Sequence, residues 1–169
     1  MKILKLFLIF IFYFFSNSIV LANNKIFYID VDYIFKNSDK GKEIILNLEQ
    51  IKKNYHNELE EEKITLLKLE KDINKKKNIL NKEELNTQLN NLNLKVSNYN
   101  QKKKQLDDKF KKTKQEKINF FFSSIENIIN DYMKEKKVDL LIDKKTILIG
   151  VSSLDATKEV LDIINKKLN

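Results

Sequence analysis

The sequence predicts a mainly α protein with a small β body: a long antiparallel helical hairpin, forming a coiled-coil arm, projects from a β-strand body. Three observations lead there. From Gly41 to about Lys137 the chain has no Pro and, after Gly41, no Gly, while leucines recur at helical spacing. Short β-branched and aromatic runs flank that stretch, at Ile26 to Val31 and from Val138 onward. Those runs are too few for a core that could enclose nearly a hundred helical residues, so the helical stretch must stand out from the body as an arm.

In chain order, Met1 to Lys5 carries two lysines, Leu6 to Phe15 is wholly apolar, and Val20-Leu21-Ala22 places small residues at the minus-three and minus-one sites. This is the pattern of a secretory signal peptide, residues 1-22, cleaved after Ala22. The uninterrupted apolar run is about half of the roughly twenty residues that a membrane-spanning helix needs. The predicted mature chain is exported and has 147 residues, thirty lysines and twenty-four acids, a net charge of +6. It has no arginine and no cysteine and a single histidine. That composition excludes a disulfide framework and thiolate chemistry, and it offers no bidentate arginine for reading phosphates or bases.

The body is expected at residues 23-40 and 119-169. Ile26-Phe-Tyr-Ile-Asp-Val31 reads as a strand, and Asp32 as the cap of a short helical turn before the break at Asn37 to Gly41. The arm, 41-118, follows. Ile44, Leu48, Ile51, Tyr55, Leu59, Leu66, Leu69, Ile73 and Leu80 form the stripe of its first half, with Glu62 and Lys76 where apolar residues belong. In its second half, alternate steps of four and three from Leu85 give Leu89, Leu92, Val96, Tyr99, Lys103, Leu106, Phe110, Thr113, Lys117 and Phe120, the seam of a coiled coil. The tip is placed near 80-82, where Asn81 and Glu84 have capping-box spacing.

After the arm, the dense apolar run Phe120 to Tyr132 marks re-entry into a core. Val138 to Ile142 and Thr146 to Val151 read as two strands of a tight hairpin, and Asp155 as the N-cap of a closing amphipathic helix. Three strands leave two open edges, which oligomerisation through Ile26, Tyr28, Ile147 and Ile149 would cover.

Between Lys63 and Lys117 sixteen lysines stand against seven acids, a net +9. Lys75, Lys76, Lys77, Lys82, Lys102, Lys103 and Lys104 are the candidate binding residues, able to steer an acidic polypeptide or an anionic lipid or membrane surface. No catalytic, metal or cofactor site is expected. The Asp30-Val-Asp32 pair at a strand end is similar to a phosphatase nucleophile motif, but no second acidic pair and lysine converge on it in sequence. His56 lies among polar residues on the first half of the arm. A basic coiled coil could also neutralise nucleic acid or serve as a structural envelope spacer. Export, the missing arginine and acids interleaved along the arm make nucleic acid the weaker partner.

The segments Lys25 to Val31, Phe35 to Gly41-Lys42, Val138 to Asp143 and Leu154-Asp-Ala-Thr-Lys-Glu-Val-Leu161 resemble the OmpH/Skp family of periplasmic chaperones. Asp155, Thr157 and Val160 carry its most specific motif. Ala156 stands where the family usually has a larger aliphatic residue. The resemblance implies a homotrimer with a shared β-barrel body and three arms around a cavity. It implies that this assembly, in the periplasm and without ATP, holds unfolded outer-membrane proteins.

Overall fold

The computed structural model describes residues 24–168; the predicted signal peptide and its cleavage site at Ala22 lie outside them. Strand β1 (Ile26–Ile29) leads into helix α1 (Val31–Asn37) and then the long helices α2 (Asp39–Lys76) and α3 (Lys82–Lys136). Strand β2 (Leu140–Asp143) and helix α4 (Thr157–Leu168) complete the chain, with short 3-10 turns at Lys144–Thr146 and Ser152–Leu154.

β1 and β2 pair in parallel, Ile26 opposite Leu140 and Ile29 opposite Asp143. A parallel pair needs a crossover, and here the crossover is the whole helical hairpin. The arm is thus a greatly extended strand-helix-strand connection. The expected antiparallel hairpin of Val138 to Ile142 with Thr146 to Val151 does not form, and no strand runs from Thr146 to Val151. The local chemistry explains this. Asp143 accepts the Lys145 N–H at 3.1 Å, and the Thr146 hydroxyl donates to the Asp143 carbonyl at 2.8 Å, tightening a 3-10 turn. Asp-Lys-Lys supplies no glycine for the positive φ of a two-residue hairpin. The chain instead rounds to the far edge of β1, where Asp155 bridges to Tyr28 and the Ala156 N–H donates to the Tyr28 carbonyl at 2.9 Å. On the way, Gly150 lies against the Tyr28 ring, where an added Cβ would come within 2.9 Å.

β1 is shorter than expected because Asp30, not Asp32, caps α1. Its side chain accepts the Tyr33 N–H at 2.8 Å. Asp32 instead pairs with Lys145 at 2.7 Å. Ser38 separates α1 from α2, and its fully buried hydroxyl caps α2 by accepting the Gly41 N–H at 3.1 Å. The core gathers Ile29 from β1, Ile34 from α1, Ile44 and Leu48 from the base of α2, Phe121, Ile125, Ile128 and Tyr132 from α3, and Val160 and Ile164 from α4. Each such burial contributes about 1.5–3 kcal/mol. Phe35 and Phe121 meet edge to face at 5.0 Å. Leu140 and Ile149, on the runs expected to be strands, lie outside this core: Leu140 is half exposed and Ile149 is 89% exposed.

Candidate functional site

α2 has 38 residues, which at 1.5 Å of rise makes a rod of about 57 Å. The base of α2 is deeply buried; beyond Leu48 its seam residues Ile51, Tyr55, Leu59, Leu66 and Leu69 are half-buried, until Ile73 is again deeply buried near the tip. Lys77 to Asn81 makes the turn between the helices. Asn81 accepts the Glu84 N–H at 2.9 Å and the Glu84 carboxylate accepts the Asn81 N–H at 3.3 Å, a complete capping box. Two donors at the helix start are thereby satisfied at a point far from any core.

The seam of α3 departs from the heptad count. Near the tip, Leu85 and Leu92 are half-buried as expected, but at the base Phe120 is 60% exposed and Phe121 is fully buried. A straight helix falls about 20° behind a seven-residue repeat at each heptad. Five heptads from Leu85 thus amount to about 100°, the turn of one residue. The inward row accordingly runs in steps of eleven from half-buried Phe110 to buried Phe121 and Tyr132. The same drift moves Lys103 out of the seam and Lys102 to its edge.

Lys102 donates to Glu58 at 2.8 Å and to Glu62 at 3.0 Å on the opposite helix. These hydrogen bonds raise its pKa above the ordinary lysine value. Glu62, expected as a gap in the apolar seam, is thus half of an ion-pair clamp. Lys75 and Lys76 lie exposed in the last turn of α2, where their charge complements the helix C-terminus. Lys77 and Lys82 flank the tip, and Lys103 and Lys104 are exposed on α3. The structure therefore gathers Lys75, Lys76, Lys77 and Lys82 at the arm's end and leaves the 102–104 group far down the arm, with Lys102 engaged in the clamp. The signal for the clamp was present in sequence as Glu58 and Glu62, four apart on one helical face.

In the body, Ile26 is 43% exposed, Tyr28 is buried with its hydroxyl donating to the Val151 carbonyl at 3.2 Å, Ile147 is half-buried, and Leu148 is 97% exposed. An apolar groove of about 420 Å³ opens between Ile29, Val31, Ile34, Phe122, Ile125 and Ile129. The acidic residues near β1 are all engaged in local structure: Asp30 in a cap, Asp32 with Lys145, Asp155 with Lys144 at 3.1 Å. Among the described residues no group of His, Cys, Asp or Glu is arranged to hold a metal ion. His56 is exposed on α2. The motif at the start of α4 is structural. The Thr157 hydroxyl donates to Asp155 and accepts the Asp30 N–H at 2.8 Å, tying α4 to the end of β1, while Ala156 and Val160 are buried. Asp155 thus stands one residue ahead of the cap position expected for it, because the first helical bond runs from the Val160 N–H to the Ala156 carbonyl.

A small mixed body carries a long helical hairpin, and exposed lysines concentrate on that hairpin. The model of the OmpH-like outer membrane protein family matches residues 25–164, and the chain belongs to that family. Among solved structures, a candidate outer membrane chaperone (OmpH-like) from Caulobacter crescentus CB15 shares the fold, with a TM-score of 0.79, 18% identity and 86% of each chain covered. No curated protein matches the chain.

Proposed function

We propose that this protein is an ATP-independent periplasmic holdase chaperone that keeps unfolded outer-membrane proteins soluble in a cavity between the arms of a homotrimer. The observation that carries the reading is the arm itself. It is a rod of about 57 Å with a thin seam, a net charge of +9 between Lys63 and Lys117, and no burial against the body beyond its base. Such a rod adds little to the stability of the body and much to its reach. Membership of the OmpH-like family and the shared fold of the Caulobacter protein support the chaperone class. The exposed apolar side chains of Leu140, Leu148, Ile149 and Val151 support assembly through the body, since contiguous exposed apolar surface marks interfaces. Export with cleavage after Ala22 would bring the protein to its clients.

The test dilutes a urea-unfolded outer-membrane β-barrel protein into buffer with and without the mature protein and follows light scattering. The holdase reading expects scattering to be suppressed near one trimer per client, with no nucleotide added. Undiminished aggregation at excess protein would refute it.

A further inference from the structure

The two long edges of the arm's seam differ. Helical residues advance about 100° each, so azimuths can be counted from Leu66 on α2 and Tyr99 on α3, both half-buried in the seam. Glu58, Glu62 and Lys102 fall to one side of it, consistent with their contacts at 2.8 and 3.0 Å. Leu67 falls to the other side on α2, and Leu89 and Val96 fall to that same side on α3, because antiparallel helices turn like-signed rotations toward one face. Glu58 and Glu62 stand opposite Lys102; stepping from there toward the tip brings Leu67 level with the stretch between Leu89 and Val96. The three form one patch, 54%, 39% and 39% exposed, about 10 Å long. Exposed Ile64 and Leu94 lie apart from it, on the back of the arm and on the clamped side.

Charge divides the same way. On the clamped edge Lys68, Lys76, Lys95 and Lys102 are balanced by Glu58, Glu61, Glu62 and Asp72. On the open edge Lys63, Lys71, Lys82, Lys103 and Lys104 outnumber Glu60, Glu70 and Asp107, and Glu60 already pairs with Lys63 at 3.4 Å. Half-exposed aliphatic side chains bordered by unbalanced lysines are complementary to a chain that carries both apolar and acidic residues.

We propose that the open edge, centred on Leu67, Leu89 and Val96, grips an unfolded acidic polypeptide segment. Its apolar side chains lie on the patch and its carboxylates meet the flanking lysines. The assignment rests on the holdase reading above and adds to it the face of the arm that is used and the division of labour: lysines attract, aliphatic contacts retain.

The chain has no cysteine, so a photo-crosslinker can be attached singly at Leu67→Cys or Val96→Cys on the open edge and at Glu61→Cys on the clamped edge. The probe is a urea-unfolded, acidic outer-membrane β-barrel protein, with its light scattering recorded in the same samples. Several-fold more client crosslinking from the open edge is expected. The combined variant Leu67→Ser/Val96→Ser should bind the client on the order of tenfold more weakly, with unchanged helical circular dichroism and an unchanged salt dependence of capture. Equal or greater crosslinking from Glu61→Cys while aggregation is suppressed would overturn this assignment and leave the holdase reading intact. Crosslinks between copies of the protein instead of to client would assign the edge to arm–arm packing and also overturn it. Failure of the unmodified protein to suppress aggregation would overturn both.

Discussion

At Gly41 an added Cβ would lie 1.7 Å from the Phe35 carbonyl oxygen, a backbone atom that cannot swing aside. Gly41→Ala should therefore displace the first turn of α2 from α1 and destabilise the protein by at least the roughly 1–3 kcal/mol typical of overpacking, read as a lower urea midpoint. A sharper test compares neighbours. Phe121→Ala should cost about 3–5 kcal/mol, because its ring is fully buried against Phe35. Phe120→Ala, at 60% exposure, should cost under about 1 kcal/mol. Equal losses would mean the seam does follow the heptad at its base. The sequence shows three adjacent phenylalanines, and a strict seven-residue count selects Phe120. The right choice needed the accumulated 20° per heptad of a straight helix, which is a property of length rather than of any one residue. Lys102 was hidden for the same reason, since one residue of drift separates a free lysine from one held by two glutamates.

The elements whose patterns are local were the legible ones. The long helices followed from leucine spacing without Pro or Gly, and the capping box at Asn81 and Glu84 from a three-residue interval. The strand order was not legible, because β1 and β2 are joined across the whole arm and nothing local to Ile147 to Val151 distinguishes an unpaired apolar run from a strand. At the level of α4, two contacts to α3 set the response to pH. The Tyr132 hydroxyl donates to Glu159 at 2.9 Å, and Lys136 pairs with Glu159 at 2.6 Å. The hydrogen bonds from Lys136 and Tyr132 hold the Glu159 carboxyl below its usual range. Burial would push Asp155 up, but hydrogen bonds from Thr157 and Lys144 bring it below its usual value. Depressed carboxylates stabilise the fold above their unfolded pKa, and this contribution is lost as pH falls through the lowered values. Burial first, then Glu159, pushes Tyr132 up to about 12. Its contribution is complete below the ordinary tyrosine value near 10 and is lost as pH rises toward 12. Docking of α4 should thus weaken at both extremes, and Tyr132→Phe should remove the most alkaline step of the tyrosine absorbance titration. A titration identical in the variant would place Tyr132 among the ordinary tyrosines. In the arm, amides from about Lys71 to Leu92 should exchange faster than those of β1 and the base of α3, because the seam there is thin and most of its side chains meet water. Tip amides as slow as those of the body would make the arms rigid props.

For the whole molecule, the charge on the arm and the apolar surface on the body imply separate tasks that mutation can separate. Charge reversal at Lys75, Lys76, Lys77 and Lys82 should slow capture of an acidic unfolded client and flatten its salt dependence, since exposed charges act mainly on association rate and are screened by salt. The body should be untouched by those changes. Assembly, in turn, should depend on side chains that do little for the protomer. Leu148 and Ile149 are 97% and 89% exposed, on a segment with no strand partner among the described residues. Placing lysines at both positions should change protomer stability by no more than about 0.5 kcal/mol each, because neither side chain contributes to the core. In a trimer that buries them, the same lysines would be desolvated without partners. On the homotrimer proposed above, Leu148→Lys/Ile149→Lys is therefore expected to give a folded monomer with native helical content, its mass by light scattering about one third that of the unmodified protein. It should suppress client aggregation poorly, because one arm encloses no cavity. If the variant instead stays trimeric at dilution, the assembly surface lies elsewhere, and the groove beside Phe122 and Ile129 becomes the next place to test.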